Sequence, residues 1–367
     1  MTDGEGGGGP ATFRRRPRYR GTHPRTFAEK YKERDPARYP EEREKVLAAG
    51  KTPAGSHVPV LVAEVLEALR PAPGETAVDA TLGWGGHAEA ILPKLRPGGR
   101  LIGLDADPVE LPKTERRLRA LGWDEEALVV RRSNFAGLPK VLADLGLGGV
   151  DLVLADLGVS SMQLDDPERG FSWKRDAPLD LRMNPHRGLA AGERILRMKK
   201  EEIEEVLGEY GDEPEAKRIA GALLDALAAR RREDPPGLPR TSDVARAVES
   251  AYEGKSERER REQLDASRAR TFQALRILVN DEMTALGTFL ANLPAILEAG
   301  GRIAILSFHS GEDRRVKKAF AAGLASGVYS AVSPGVVRPS ADERGANPRS
   351  AAAKLRWAVR AGRPLPG

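Results

Sequence analysis

The chain has no cysteine. That excludes disulfides, thiolate metal sites and any mechanism opened by a cysteine nucleophile. Methyl transfer to carbon 5 of a pyrimidine, which normally begins with thiolate attack on the ring, is excluded with them. Exocyclic amines, ring nitrogens and hydroxyls stay open as acceptors. Histidine is scarce: His23, His57, His87, His186 and His309 are scattered without an i, i+4 pair, so no zinc site, and no metal, is expected. No run approaches the ~20 apolar residues of a membrane span. The opening MTDGEGGGGP lacks an apolar signal core, so a cytoplasmic protein without a membrane partner is expected. An acidic excess is missing too: the net charge of +5 permits a polyanionic partner.

What is present fills 367 residues, enough for two structural units and a tail. Residues 1–50 are rich in Gly, Pro and Arg and show no apolar periodicity before Val46, which reads as a disordered basic arm. From residue 51 the pattern turns globular. Helical spacing over 60–69 is followed by strands at 76–80, 100–105, 127–132 and 150–155, with helical segments between them. That alternation predicts an α/β fold with a doubly wound parallel sheet. Over 181–270 the pattern changes to charged helices at 193–209, 215–232 and 242–252, an all-α insertion left by a charge-dense link at 258–270. The first unit resumes over 271–367 with an apolar helix, a fifth strand at 301–310 and a terminal antiparallel strand at 351–360.

The most informative stretch is Asp79-Ala80-Thr81-Leu82-Gly83-Trp84-Gly85-Gly86-His87. It lies between a short β-like run and a helix, and a second strand then ends in Asp105. Glycines let the backbone pass close to a ligand, and an acid roughly 20 residues on accepts hydrogen bonds from a ribose diol. The spacing D-x-x-x-G-x-G-G differs from G-x-G-x-x-G, which favours S-adenosylmethionine over a dinucleotide because no pyrophosphate has to be seated. A third apolar strand ends in Asp156 before the polar loop that reaches Ser161. Ligands of open α/β sheets bind beyond the carboxyl ends of the strands, so Asp79, Asp105 and Asp156 are expected around one crevice.

With these segments in place the chain resembles the bacterial 16S ribosomal RNA (cytosine-N4)-methyltransferases, the small-subunit methylase H group. The resemblance is carried by His57-Val58-Pro59-Val60-Leu61, by the glycine turn, by Leu104-Asp105-Ala106-Asp107-Pro108 and by the run from Leu154 to Asp166. It continues through Arg169-Gly170-Phe171-Ser172, Pro178 to Met183, Arg270 to Ile277 and Ser307-Phe308-His309-Ser310. It implies a Rossmann-like, class I S-adenosylmethionine-dependent methyltransferase fold. The implied substrate is a cytosine of the decoding region of 16S rRNA within the small ribosomal subunit. The pattern implies a cofactor pocket of Gly85, Gly86, His87, Asp105, Phe135, Asp156 and Gln163. The chain departs from it at Ser267-Arg268-Ala269, ahead of Arg270, and at Gly311, both on the presumed substrate side.

Within that frame the residues suggest roles. Asp156 is the candidate proton acceptor for a cytosine amine, with pure cofactor orientation as the equal alternative. His309 can contact RNA or relay a proton, against a structural hydrogen-bonding role. Phe171 and Trp173 are candidates to stack on the base, with Arg169, Lys174, Arg175 and Arg182 for neighbouring phosphates. The oligomeric state stays open between monomer and homodimer. A nicotinamide dehydrogenase, a ribose-hydroxyl methyltransferase and a non-catalytic ribosome-assembly factor are the rival readings.

Overall fold

The computed structural model describes residues 59–233 and 237–362, all within one compact unit. The expected basic arm at 1–50 lies outside them. Seven strands form one sheet in the order β3-β2-β1-β4-β5-β7-β6. They are β1 (Thr76–Asp79), β2 (Arg100–Asp105), β3 (Leu128–Arg132), β4 (Val150–Asp156), β5 (Leu297–Ser307), β6 (Tyr329–Val332) and β7 (Lys354–Arg360). The first five are mutually parallel. β7 lies between β5 and β6, antiparallel to both. Strand order reverses between β1 and β4, which opens a crevice at their carboxyl ends.

Successive residues of a strand face opposite sides, and the two apolar cores follow that rule. Val78, Ile102, Val153 and Ile305 belong to one core; Ala77, Leu101, Leu152, Leu154 and Ala304 belong to the other. Burial on both faces explains why β4 carries the apolar run Leu152-Val153-Leu154-Ala155. Each fully buried Leu, Ile or Phe contributes on the order of 1.5–3 kcal/mol.

In chain order the helices of the first half are α1 (Val62–Leu69), α2 (Gly86–Leu95), α3 (Leu111–Ala120), α4 (Leu138–Asp144) and α5 (Ser161–Asp165). Then come α6 (Ala191–Ile195), α7 (Lys200–Gly211), α8 (Ala216–Arg231), α9 (Thr241–Ala251), α10 (Glu257–Asn280), α11 (Glu282–Ile296) and α12 (Ser310–Ala325). α1 to α3 cover one face of the sheet, and α4, α11 and α12 cover the other. α6 to α10 build a third apolar cluster, in which Ile219, Leu223 and Leu227 of α8 meet Ile203, Leu207, Val244 and Phe272.

Several expectations are corrected. The charged stretch 258–270 is no link: it is the first half of α10, continuous with the apolar half after it. Ser256 caps the helix, accepting from the Glu259 amide at 3.2 Å, and Arg258–Glu262 and Arg261–Glu257 pair one turn apart on the exposed face. The helix expected at 193–209 is two, because the Lys199 amide donates to Glu202 at 2.7 Å and restarts the chain as α7. The fifth strand ends at Ser307, so His309 lies beyond it as the N-cap of α12. β7 starts at Lys354, after a short 3-10 turn. β6, four residues long, was not anticipated.

Candidate active site at the carboxyl edge of the sheet

The glycine turn joins β1 to α2. Gly85 has φ +81°, a left-handed conformation that favours glycine. A Cβ on Gly86 would stand 2.9 Å from the Pro59 ring. The turn is pinned from several sides. The Gly83 amide donates to Asp105 Oδ2 at 2.8 Å, and Thr114 donates to the Gly83 carbonyl at 2.5 Å. Arg117 donates to the Trp84 carbonyl through Nη2 at 2.7 Å and stacks on the Trp84 ring at 4.9 Å.

Three strand-end acids meet here, as expected. Burial pushes Asp79 up to about 7, against the opposing pull of His87. Burial also lifts Asp105 to about 6, opposed by the amides of Asp107 and Gly83. Asp156 rises to about 7, again through burial, with the charge of Glu312 adding to it. One oxygen of Asp156, Oδ1, is buried with no hydrogen-bond partner among the described residues. An orphaned buried acceptor at a crevice is an arrangement that a donor on a ligand would complete.

His87 is buried between Asp79 and Asp156 on the first turn of α2. Its Nε2 lies 2.9 Å from the Val60 carbonyl, so the ring proton sits on Nε2. Burial pulls its pKa down, which keeps the ring neutral. Nδ1 is left as an acceptor 3.7 Å from Asp156 Oδ2.

The remaining expected residues divide. Phe135 follows β3 on a 3-10 turn, half-buried, with its ring 5.4 Å from Phe289. Gln163 is in α5, and both ends of its amide are engaged: Oε1 accepts from the Ser160 amide at 3.0 Å, and Nε2 donates to Asp107 at 2.8 Å. His309 is buried, its Nε2 3.2 Å from Glu312 Oε1. Glu312 accepts from the Phe308 amide at 2.9 Å. Burial opposes its charge, but the contact with His309 and the charge of Arg276 hold it below the usual carboxylate range. That makes His309 part of the turn that starts α12.

Among the residues expected to face the substrate, Phe171 is 5 % exposed and belongs to the helical core. In this conformation it offers no face to a base, because its apolar surface is better buried among Leu179, Leu181 and Phe272. Trp173 is half-buried, its ring 5.8 Å from Phe272. Lys174 and Arg175 are exposed. Arg182 forks onto Asp180 at 2.6 and 2.7 Å, and Arg169 is buried in contact with Asp107. Arg182 serves the loop's own structure, while Arg169 ties the loop to the end of β2. Sequence reasoning missed Asp107. The signal was available, since an Asp two residues past Asp105 and before Pro108 is placed to cap a turn, and its Oδ1 accepts from the Val109 amide at 2.8 Å.

The chain is similar to known proteins along most of its length. The chain is 47% identical over 348 residues to the ribosomal RNA small subunit methyltransferase H 1 of Lachnoclostridium phytofermentans, covering 95% of this chain and 93% of that one. It is 45% identical over 347 residues to the ribosomal RNA small subunit methyltransferase H 2 of Alkaliphilus metalliredigens, covering 95% and 97%. Solved structures are looser matches: an rRNA methylase from Streptococcus thermophilus is 11% identical, with a TM-score of 0.37 over 82% of this chain and 93% of that one. The MraW methylase family model matches residues 54–361, which takes in every strand of the sheet, the glycine turn, all three strand-end acids and the helical cluster, and the chain therefore belongs to the MraW methylase family.

Proposed function

We propose that the chain transfers a methyl group from S-adenosylmethionine to the exocyclic N4 amine of a cytosine in the decoding region of 16S rRNA, working in the cytoplasm on the small ribosomal subunit. The observation that carries this reading is Asp156: an unpartnered, buried carboxylate oxygen at the switch point of the sheet, beside the glycine turn. The residues present fit the cofactor. Gly85 and Gly86 let the turn pack against α3 and Pro59, Gly83 leaves open space for the methionine end, Asp105 stands where a ribose diol would be held, and Phe135 lies past β3 where an adenine would stack. Bound there, the cofactor supplies an activated methyl on its sulfonium.

The protein then has to orient and desolvate a weak nucleophile. A cytosine amine has its lone pair drawn into the ring. A carboxylate accepting its N–H raises electron density on nitrogen and takes the proton once the methyl has moved. Asp156 Oδ1 is that acceptor. His87, fixed as the Nε2–H tautomer by Val60, stands with Nδ1 3.7 Å from Oδ2 of the same carboxyl and adds no positive charge beside it. Trp173, Lys174 and Arg175 belong to the acceptor side.

The test is methyl transfer from labelled S-adenosylmethionine to unmethylated small subunits, followed by nucleoside mass analysis. Label in 4-methylcytidine at one decoding-region site is the expected result. Label on a ribose or another base overturns the acceptor. No label, with cofactor still bound, favours the assembly-factor reading.

A further inference from the structure

The buried pair of Asp107 and Arg169 has no part in the chemistry above, yet it ties two parts of the site together. Asp107 is fully buried. Its amide donates to Asp105 Oδ1 at 2.8 Å, so the two residues form one unit at the end of β2. Its Oδ2 accepts from Gln163 Nε2 at 2.8 Å and from Arg169 Nη1 at 2.9 Å. Arg169 turns its other nitrogen, Nη2, to the carbonyls of Arg182 and Met183 at 3.0 and 2.8 Å. The same short run is held from the opposite side by Asn280, which donates to the Leu181 carbonyl at 2.8 Å and accepts from the Met183 amide at 2.7 Å. Between these clamps Leu181 has φ +61°, a strained conformation for a residue with a side chain.

A buried ion pair seldom adds stability over apolar residues of the same volume. Its retention between a ligand-holding acid and a strained loop calls for another reason. We infer that Asp107 and Arg169 are positioning residues, which fix the acceptor-side segment 169–183 relative to the ribose acid Asp105. The inference rests on the methyl-transfer reading, because it takes Asp105 as the cofactor's anchor and Trp173, Lys174 and Arg175 as the acceptor side. Neither residue touches the reacting atoms. Together they set the distance between the groups that do.

Arg169→Lys tests this without stranding a charge. Lysine keeps a cation opposite Asp107, but its single ammonium cannot reproduce the fork that reaches the carboxylate and two carbonyls at once. In the full-length protein the expected result is cofactor affinity within about twofold of wild type by calorimetry. Alongside it, kcat/KM for unmethylated small subunits falls about tenfold, mostly through KM. Wild-type kcat/KM overturns the inference. So does an equal loss of cofactor affinity, which would assign the pair to the cofactor pocket alone. A double variant, Asp107→Asn with Arg169→Gln, removes both charges. It should recover the thermal midpoint lost by Asp107→Asn alone while methyl transfer stays low; recovery of transfer to wild type makes the pair merely structural. Asp105→Ala is the separate control on the underlying reading. Undiminished cofactor affinity there would sink the cofactor site, whatever Arg169→Lys shows.

Discussion

At the scale of single residues, the active site is governed by three acids that burial makes reluctant to ionise. As the proposed base, Asp156 can take a proton only when charged, and its pKa is raised to about 7. Methyl transfer should therefore rise with pH through about 7 and level off above it. Asp156→Asn should lower kcat by about a hundredfold or more and abolish that rise, with cofactor affinity changed only a few-fold. An equal fall in affinity and turnover would make Asp156 a cofactor ligand and no base. Asp79 gives a stability effect of defined sign. Its folded-state pKa lies above the unfolded value, 3.8 raised to about 7. Its contribution is therefore complete below pH 4 and is lost as pH climbs to about 7. Asp79→Asn should thus unfold about 3 °C or more above wild type at pH 8 and together with it at pH 4, by thermal melts at both pH values. The three acids could be read from the sequence because each ends an apolar strand. The capping turn at Asp107 was legible, but its tie to Gln163 and Arg169 was not, because these lie 56 and 62 positions away and meet it only when the chain folds.

At the scale of elements, α10 carries the clearest consequence. Ala266 is exposed in its first half, so a proline there removes only backbone hydrogen bonding and helical geometry. Ala266→Pro should cost about 3 kcal/mol in urea unfolding; were this stretch an irregular link, the change would be close to neutral. The parallel strands were legible because burial on both faces leaves an apolar run, and the α8 stripe was legible because its residues recur at helical spacing. The first half of α10 was not, because its stability comes from the Ser256 cap and from ion pairs one turn apart, which composition alone presents as a charged linker. Phe171 misled for a related reason. An aromatic in a Gly-Ser-Lys-Arg setting looks available to a base, and only the assembled helices show that its ring is needed to close their core.

At the scale of the whole molecule, a net charge of +5 is a weak signal spread over many paired groups, so what matters is where unshielded cations sit. α12 starts beside the catalytic edge of the sheet and exposes Arg314, Lys317 and Lys318. Contacts to phosphate release counterions and so weaken as salt rises. Reversing Lys317 and Lys318 to Glu should raise KM for small subunits and flatten its salt dependence by about one to two released ions, leaving cofactor affinity unchanged in calorimetry. An unaltered salt slope would remove α12 from the RNA-facing surface.

The placement of β7 between β5 and β6 has a consequence for how the molecule comes into being. A ribosome delivers the chain from its amino end, so β5 and β6 emerge before the strand that joins them. Until Lys354 to Arg360 has left the exit tunnel, β5 presents a bare row of amides and carbonyls, the kind of edge that other chains can pair with. A message cut short by only a few codons before β7 would yield a chain with all three strand-end acids and a sheet that cannot be completed.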